Sequence, residues 1–166
     1  MRNDLEALPI IHRARIRPEW IDRNQHLNAG YYMVVFDDAV SGWLAYCGLT
    51  PEHQRRFGGT TFSVESHATY EREVLEGDEV VITGQLLDYS DKKIHSFFRM
   101  IHAEAGYLAA TNELMTLYID LASRRPGAMR SGIMDRLATI KQAQAYVPPP
   151  PQAGRVISVH ARRPSS

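Results

Sequence analysis

The longest apolar segment of the chain directly follows a short polar one. Apolar side chains recur at helical spacing over residues 29–47, at Phe36, Ala39, Val40, Trp43, Leu44 and Cys47. Asn28, just before this run, is a favourable N-cap residue, because its side-chain oxygen accepts from N–H groups of the first turn. Gly48, just after it, is typical of a helix C-terminus. The pattern therefore predicts one long buried helix over residues 29–47.

Alternating and β-branched segments predict five strands. One is expected over residues 10–17, where Pro18 ends it, and four more over residues 60–72, 79–89, 93–103 and 107–120. Turn-forming residues, among them Gly77 and Gly106, separate the last four. Such short connections indicate that these strands pair as antiparallel neighbours. A curled antiparallel sheet wrapped around the long central helix would bury both apolar surfaces, which predicts an α+β fold.

The pattern changes after residue 120. Residues 131–145 predict an amphipathic helix, whose apolar side carries Ile133, Met134, Leu137 and Ile140. Four consecutive prolines at residues 148–151 favour an extended conformation. The apolar tail residues, Val156, Ile157 and Val159, leave two alternatives: docking on the body or a partner subunit, or a disordered end. We therefore predict a main domain over residues 1–125 and a C-terminal helix with an extended tail over residues 126–166.

Composition narrows the class of protein. A chain of 166 residues has the size of one domain with a substantial core, and its formal net charge is zero, so we expect no nucleic acid and no membrane as partner. The single cysteine excludes an intrachain disulfide, and the seven histidines are scattered without metal-ligand spacing, so we expect no metal and no cofactor. Residues 1–9 lack the apolar core of a signal peptide, and no segment has the length of a membrane span. The expected compartment is the cytoplasm.

The polar segment before the helix gathers side chains that can perform chemistry. Asp22, His26 and Asn28 fall in one loop that leads into a helix N-terminus, where unpaired N–H groups and the positive end of the helix dipole lie. A carboxylate beside such N–H groups suits acyl transfer, because the carboxylate can activate water or attack directly and the N–H groups can stabilise the oxyanion. Each residue also has a structural interpretation: a turn for Asp22, a hydrogen bond for His26 and a helix cap for Asn28.

The pattern Asp22-x-x-x-His26-x-Asn28-x-x-Tyr31, followed by an apolar helix and an antiparallel meander, resembles hotdog-fold acyl-CoA thioesterases of the 4-hydroxybenzoyl-CoA thioesterase-like branch. Residues 70–79 resemble the strand–turn–strand of the same family, and the resemblance covers about residues 10–120. The C-terminal stretch is similar to tails in a subgroup associated with carnitine and betaine catabolism. That subgroup includes betainyl-CoA thioesterases and domains fused to carnitine dehydrogenase. The resemblance implies hydrolysis of an acyl-CoA with a short or polar acyl group, betainyl-CoA being a candidate.

The resemblance also implies roles for particular residues. Asp22 matches the loop acid that acts as nucleophile or as general base, and N–H groups around residues 28–30 would polarise the thioester carbonyl. His26 and Asn28 complete the expected catalytic group. Substrate contacts are expected from Ala29, Gly30, Tyr31, Tyr32, Trp43, Glu65 and His67. Gln25 departs from the family pattern, in which glycine is common at this position.

Several alternatives stay open. The family implies a homodimer, or a dimer of dimers, with sheets joined edge to edge and pockets at the interface. A further acid could come from a strand, at Glu65, or from the helix, at Asp37 or Asp38; Glu65 also fits a solvated face or a salt bridge to a nearby arginine, Arg72 or Arg99. The alternative functions are a hydratase or dehydratase of acyl thioesters and a non-catalytic acyl-CoA-binding protein. A quaternary ammonium acyl group would favour aromatic rings through cation–π attraction.

Overall fold

A computed structural model describes residues 8–159 of the chain. The strands are β1 (Ile10–Arg15), β2 (Gly59–Tyr70), β3 (Glu79–Tyr89), β4 (Lys93–His102), β5 (Leu108–Asp120) and β6 (Arg125–Pro126). The helices are α1 (Ala29–Tyr46), α2 (Pro51–Phe57) and α3 (Ser131–Ala143), and a 3-10 turn spans Pro18–Trp20. The predicted α+β architecture, an antiparallel sheet curled around one long helix, is confirmed. None of the described helices has the length and hydropathy needed to cross a bilayer.

The order of strands corrects one prediction. The sheet runs β1-β3-β4-β5-β2, with β6 beside β5, so β2 and β3 are not neighbours although they follow each other in the chain. β2 instead pairs with β5, from Gly59 opposite Asp120 to Tyr70 opposite Ala110. Residues 71–78 are therefore a crossing connection and not a hairpin turn. The antiparallel pairing predicted for the last three strands, β3 with β4 and β4 with β5, is confirmed.

Two glycines set how closely α1 approaches the sheet. A Cβ atom at Gly42 would lie 2.2 Å from the carbonyl oxygen of Ile11, and one at Gly84 would lie 2.5 Å from the Trp43 ring. Trp43 is buried, and its Nε1 donates to Ser96 Oγ on β4 at 2.8 Å. A larger residue at either glycine would push the helix off the strands, so close helix–sheet contact depends on both.

Buried Cys47 lies just beyond the last residue of α1. Its side chain is fully shielded from solvent, and burial raises the pKa of its thiol to about 12. A thiol with so high a pKa carries almost no thiolate near neutral pH, and the thiolate is the nucleophilic form. The interpretation of Cys47 as a core residue is therefore confirmed.

The C-terminal segment packs on the body through polar as well as apolar contacts. Leu137 and Ile140 of α3 lie in the same buried cluster as α1. Gln144 hydrogen-bonds to the end of β3 that β1 does not reach: its Oε1 accepts from the Leu86 N–H at 2.8 Å, and its Nε2 donates to the Gly84 carbonyl at 3.3 Å. The domain boundary predicted at residue 125 stays a prediction. Helix α3, which lies beyond that boundary, shares a hydrophobic core with the residues before it.

The tail crosses the sheet face that is turned away from α1. Gln85 Nε2 donates to the Val147 carbonyl at 3.2 Å, and the Gly154 N–H donates to Glu113 Oε2 at 2.7 Å. The apolar residues that suggested docking are exposed instead: Val156 at 60%, Ile157 at 88% and Val159 at 94%. Residues 147–154 therefore hold the tail on the body, through contacts that the apolar pattern did not indicate. The predictions on residues 1–7 and 160–166 lie outside the described residues.

Candidate active site

Asp22 lies in a tight loop that a bridge between Ile21 and Leu27 closes. The Asp22 N–H donates to the His26 carbonyl at 3.0 Å, and Asp22 Oδ1 accepts from the Asn24 N–H at 2.8 Å. One carboxylate oxygen therefore holds the turn. The other, Oδ2, is left for a further partner.

Gln25 is the residue of this loop that departs from the glycine expected there. Its φ is 65°, in the left-handed region that glycine enters without steric cost. Its N–H donates to the Asp22 carbonyl at 2.9 Å, so the strained residue also helps to close the turn. The loop thus reaches the required conformation with a side chain in place, at a cost of about 1 kcal/mol.

His26 lies between two oxygen acceptors. Its Nδ1 is 3.8 Å from Asp22 Oδ2 and 3.3 Å from the Leu27 carbonyl oxygen. The side chains of His26 and Asp22 are 34% and 19% exposed, so both reach solvent from the cleft. Because both neighbours of Nδ1 accept hydrogen bonds, this geometry favours a proton on Nδ1 and leaves Nε2 as the acceptor nitrogen.

The start of α1 offers one free N–H group out of the three expected. The Asn28 N–H donates to the Trp20 carbonyl at 2.9 Å, and the Gly30 N–H donates to Asn28 Oδ1 at 2.9 Å. The second bond confirms Asn28 as the helix cap. Among the contacts within residues 8–159, the Ala29 N–H has no acceptor, so this group and the helix dipole remain for a ligand.

Asp22 and Ala29 open onto one cleft of about 290 Å³. It is lined by Asp22, His26, Leu27, Ala29, Tyr32, Tyr70, Glu71, Arg72 and Glu73. Tyr70 Oη donates to the Ala29 carbonyl at 3.4 Å, and the rings of Tyr70 and Tyr32 meet edge to face with centroids 5.2 Å apart. The end of β2 and the residues after it therefore form the wall opposite the Asp22 loop.

Tyr32, on α1, lines the cleft as a neutral phenol. Burial raises its pKa to about 12, and the negative charge of Glu73 adds to that effect. The phenol therefore stays protonated throughout the physiological range.

The structure brings only part of the predicted site together. Asp22, His26, Ala29 and Tyr32 line the cleft, and Asn28 shapes it as the cap. Gly30 and Tyr31 sit in the same helical turn but do not line the cleft, and the Tyr31 ring stacks on Trp20 with centroids 5.6 Å apart. Trp43, expected to contact substrate, lies in the core at 1% exposure, because the buried face of α1 turns it toward Gly84.

The remaining candidates lie elsewhere on the described chain. Glu65 and His67 are on β2 at the free edge of the sheet, and Asp37 and Asp38 are exposed on α1. None of the four lines the cleft of its own chain.

Neither of the salt bridges considered for Glu65 forms. The Arg72 guanidinium lies 4.0 Å from the Tyr107 ring centroid, and Arg99 Nη2 donates to Gln85 Oε1 at 2.7 Å. Glu65 itself is exposed. Its interpretation as part of a solvated face therefore fits this single chain.

Five cleft residues were absent from the predicted site: Leu27 at the end of the Asp22 loop and, on the opposite wall, Tyr70, Glu71, Arg72 and Glu73. The sequence did carry a signal for the four on the opposite wall, because residues 70–79 form the second segment that resembles the thioesterase family. The pattern of that segment predicts a strand and a turn, and its place opposite Asp22 follows only from the strand order. Within residues 8–159, no group of three or more His, Cys, Asp or Glu side chains is placed to hold a metal ion.

Comparisons with known proteins show what this chain is similar to. The family model of the thioesterase-like superfamily matches residues 16–140. Betainyl-CoA thioesterase of Pseudomonas aeruginosa is 30% identical over 144 residues, which cover 87% of this chain and 91% of that protein. The L-carnitine dehydrogenase/betainyl-CoA thioesterase of Agrobacterium fabrum is 31% identical over 144 residues, which cover 87% of this chain but 29% of that longer protein.

A solved structure extends the similarity to three dimensions. A hypothetical protein from Staphylococcus aureus, solved in complex with CoA, superimposes with a TM-score of 0.84 and is 29% identical. The match covers 92% of this chain and 97% of that one. It therefore includes the C-terminal segment as well as the sheet and its central helix.

Proposed function

This chain belongs to the thioesterase-like superfamily and hydrolyses an acyl-CoA thioester, and we propose that its substrate is betainyl-CoA. The main support for the active site is that the Asp22 carboxylate and the Ala29 N–H open onto one cleft. The similarity to betainyl-CoA thioesterase of Pseudomonas aeruginosa, a protein of matching length, supports the acyl group. The CoA-bound relative from Staphylococcus aureus supports the CoA portion.

Asp22 is the proposed base or nucleophile. Its Oδ2 atom is the oxygen left over after Oδ1 has bonded the Asn24 N–H. As a base, Asp22 removes a proton from water while the water oxygen attacks the thioester carbonyl carbon. The tetrahedral intermediate then loses CoA as the C–S bond breaks, and the thiolate recovers the proton. As a nucleophile, the carboxylate would attack the carbonyl carbon and expel the CoA thiolate, leaving a mixed anhydride that water then hydrolyses to the free acid and the Asp22 carboxylate.

The start of α1 is the proposed oxyanion site. The Ala29 N–H would donate to the carbonyl oxygen as negative charge develops there, and the helix dipole would add to this stabilisation. Asn28 supports the site by fixing the first turn, because its Oδ1 accepts from the Gly30 N–H. His26 orients Asp22 from the other side, with Nδ1 3.8 Å from Oδ2.

A homodimer is the proposed assembly. β2 is an edge strand of 12 residues, and it exposes apolar side chains at Phe62 and Val64. A long free edge of this kind is normally covered, and a second copy of the chain would cover it by continuing the sheet. Glu65 and His67 lie on this edge, so they keep a proposed role in substrate binding only within such a dimer.

The proposed location is the cytoplasm, since the reaction needs a compartment that holds CoA thioesters.

Thiol release from a panel of CoA thioesters tests the function. Betainyl-CoA, acetyl-CoA, butanoyl-CoA and benzoyl-CoA would be compared by kcat/KM, with hydration of crotonyl-CoA followed in parallel. We expect thiol release from betainyl-CoA to have the highest kcat/KM and crotonyl-CoA not to be hydrated. A higher kcat/KM for another thioester would overturn the proposed substrate, and hydration without thiol release would overturn the hydrolase assignment.

A further inference from the structure

The wall opposite Asp22 carries an excess of negative charge. The cleft is lined by three carboxylates, those of Asp22, Glu71 and Glu73, and by one guanidinium, that of Arg72. The Arg72 guanidinium lies 4.0 Å from the ring centroid of Tyr107, a residue outside the cleft lining, which draws its charge toward that ring. A cationic acyl group therefore meets an attractive potential in this cleft, and an anionic one is repelled.

Glu73 is the wall carboxylate that is free to meet a ligand. Glu71 Oε1 already accepts from Thr69 Oγ1 at 2.9 Å and from Gln152 Nε2 at 3.3 Å. Within residues 8–159, neither a hydrogen bond nor an ion pair engages the Glu73 carboxylate. The two acids therefore have different roles: Glu71 binds the tail through Gln152, and Glu73 lines the cleft with its carboxylate unpaired among the described residues.

Two tyrosine rings stand beside this charge. Tyr32 is buried at 4% exposure, and Tyr70 is exposed at 51%, with an angle of 75° between the two ring planes. The inner ring is therefore held by its surroundings, while the outer one offers surface to an entering group. A quaternary ammonium has no N–H to donate, so proteins bind it through aromatic faces and nearby negative charge.

The short length of a betainyl group places its cation next to the reacting carbonyl. One methylene separates the quaternary nitrogen from the carbonyl carbon, a distance of about 2.5 Å in an N–C–C unit. The protein must therefore bind the cation immediately beside the oxyanion site. Tyr70 lies within reach of this position, because it lines the same cleft as Ala29, whose N–H is the proposed oxyanion donor, and its hydroxyl donates to the Ala29 carbonyl at 3.4 Å.

We propose that Tyr70 and Glu73, with Tyr32 behind them, bind the trimethylammonium of the acyl group and so determine the specificity of the enzyme. The inference rests on the proposed function and names the residues that select a short cationic acyl group over a neutral one of the same shape. Tyr70 supplies the aromatic surface, and Glu73 supplies the countercharge.

A pair of isosteric substrates tests this role. 3,3-Dimethylbutanoyl-CoA has the shape of betainyl-CoA with a carbon in place of the quaternary nitrogen, so the ratio of the two kcat/KM values isolates recognition of the charge. We expect the wild type to prefer betainyl-CoA. Tyr70→Leu and Glu73→Gln should each lower this preference by about 2- to 30-fold. Tyr70→Phe keeps the ring and should keep the preference, as should the control Glu104→Gln in the turn after β4.

The outcomes separate this inference from the function on which it rests. Equal losses on both substrates in Tyr70→Leu and Glu73→Gln would overturn the recognition role and leave the betainyl-CoA thioesterase function standing. A changed preference in only one of these variants would overturn the role of the other residue. A wild type that prefers the neutral isostere would overturn the proposed substrate and the inference together.

Discussion

The backbone N–H of Leu27 donates to the carbonyl oxygen of Val74 at 2.8 Å. This bond ties the loop that carries Asp22 to the connection that follows β2. It fixes the two walls of the cleft relative to each other, although they are far apart in the sequence. Residues from both walls therefore enter the following predictions.

Asp22→Asn removes the carboxylate charge and keeps the side-chain shape. If Asp22 is the base or nucleophile, kcat should fall by about two to four orders of magnitude while KM changes little. Steady-state thiol release from the best substrate measures both. Asp135→Asn, at an exposed position of α3, is the matched control and should keep wild-type activity. An Asp22→Asn enzyme with most of its activity would return Asp22 to a turn role and move the search to Glu65 and the helix acids Asp37 and Asp38.

Gln25→Gly should stabilise the fold, because it places glycine at a φ of 65°. Relief of the left-handed strain should outweigh the extra entropy of glycine in the unfolded chain, for a gain of about 0.5–1 kcal/mol in the free energy of unfolding. Urea denaturation measures it. Gln54→Gly, inside α2, is the opposite control, because a helical glycine should cost about 1 kcal/mol there. Equal destabilisation by both substitutions would refute the strain at Gln25.

Val64→Glu should weaken the proposed dimer. Val64 is 53% exposed on the free edge strand β2, so a carboxylate there would be desolvated at an interface that continues the sheet. Light scattering should show a shift toward monomer at low micromolar concentration, with a parallel loss of activity. Ile157→Glu, at the exposed tail, should leave the assembly unchanged. A wild type that is monomeric and active at that concentration would rule the dimer out.

His53 should make stability fall in mildly acidic solution. Burial lowers its pKa below 6.5, and the charge of Arg130 lowers it further, so the folded state holds the ring neutral against Tyr118 Oη at 2.9 Å. Below pH 6.5 the unfolded chain binds a proton that the folded chain does not. The contribution of His53 to the free energy of unfolding is therefore complete above pH 6.5. It is lost as the pH falls toward the lowered pKa of the folded state.

Urea denaturation at pH 7.5, 6.5 and 5.5 measures this dependence. His53→Gln should remove that part of the slope, whereas Gln54→Ala, at the next and non-titrating position of α2, should keep the wild-type slope. An unchanged slope in His53→Gln would show that other groups cause the loss of stability between pH 7.5 and 5.5.

Local patterns predicted the central part of this site. The helical period of residues 29–47, the cap at Asn28 and the turn around Asp22 all depend on neighbours a few positions away, so the sequence determined each of them. The resemblance to thioesterases rested on the same stretch. Strand periodicity likewise located β3, β4 and β5, because alternation reports that one face of a strand is buried.

Only the tertiary structure decided what lies opposite Asp22. Alternation indicates that one face of a strand is buried but not which strand lies beside it. The sequence pattern therefore predicts β2 beside β3, whereas the structure pairs β2 with β5. The same limit applied to Trp43: its helical position marked it as apolar and large, and its packing against Gly84 made it core. Because β2 ends across the cleft, Tyr70 and Glu73 face a loop from another part of the chain, a relationship set by long-range strand pairing.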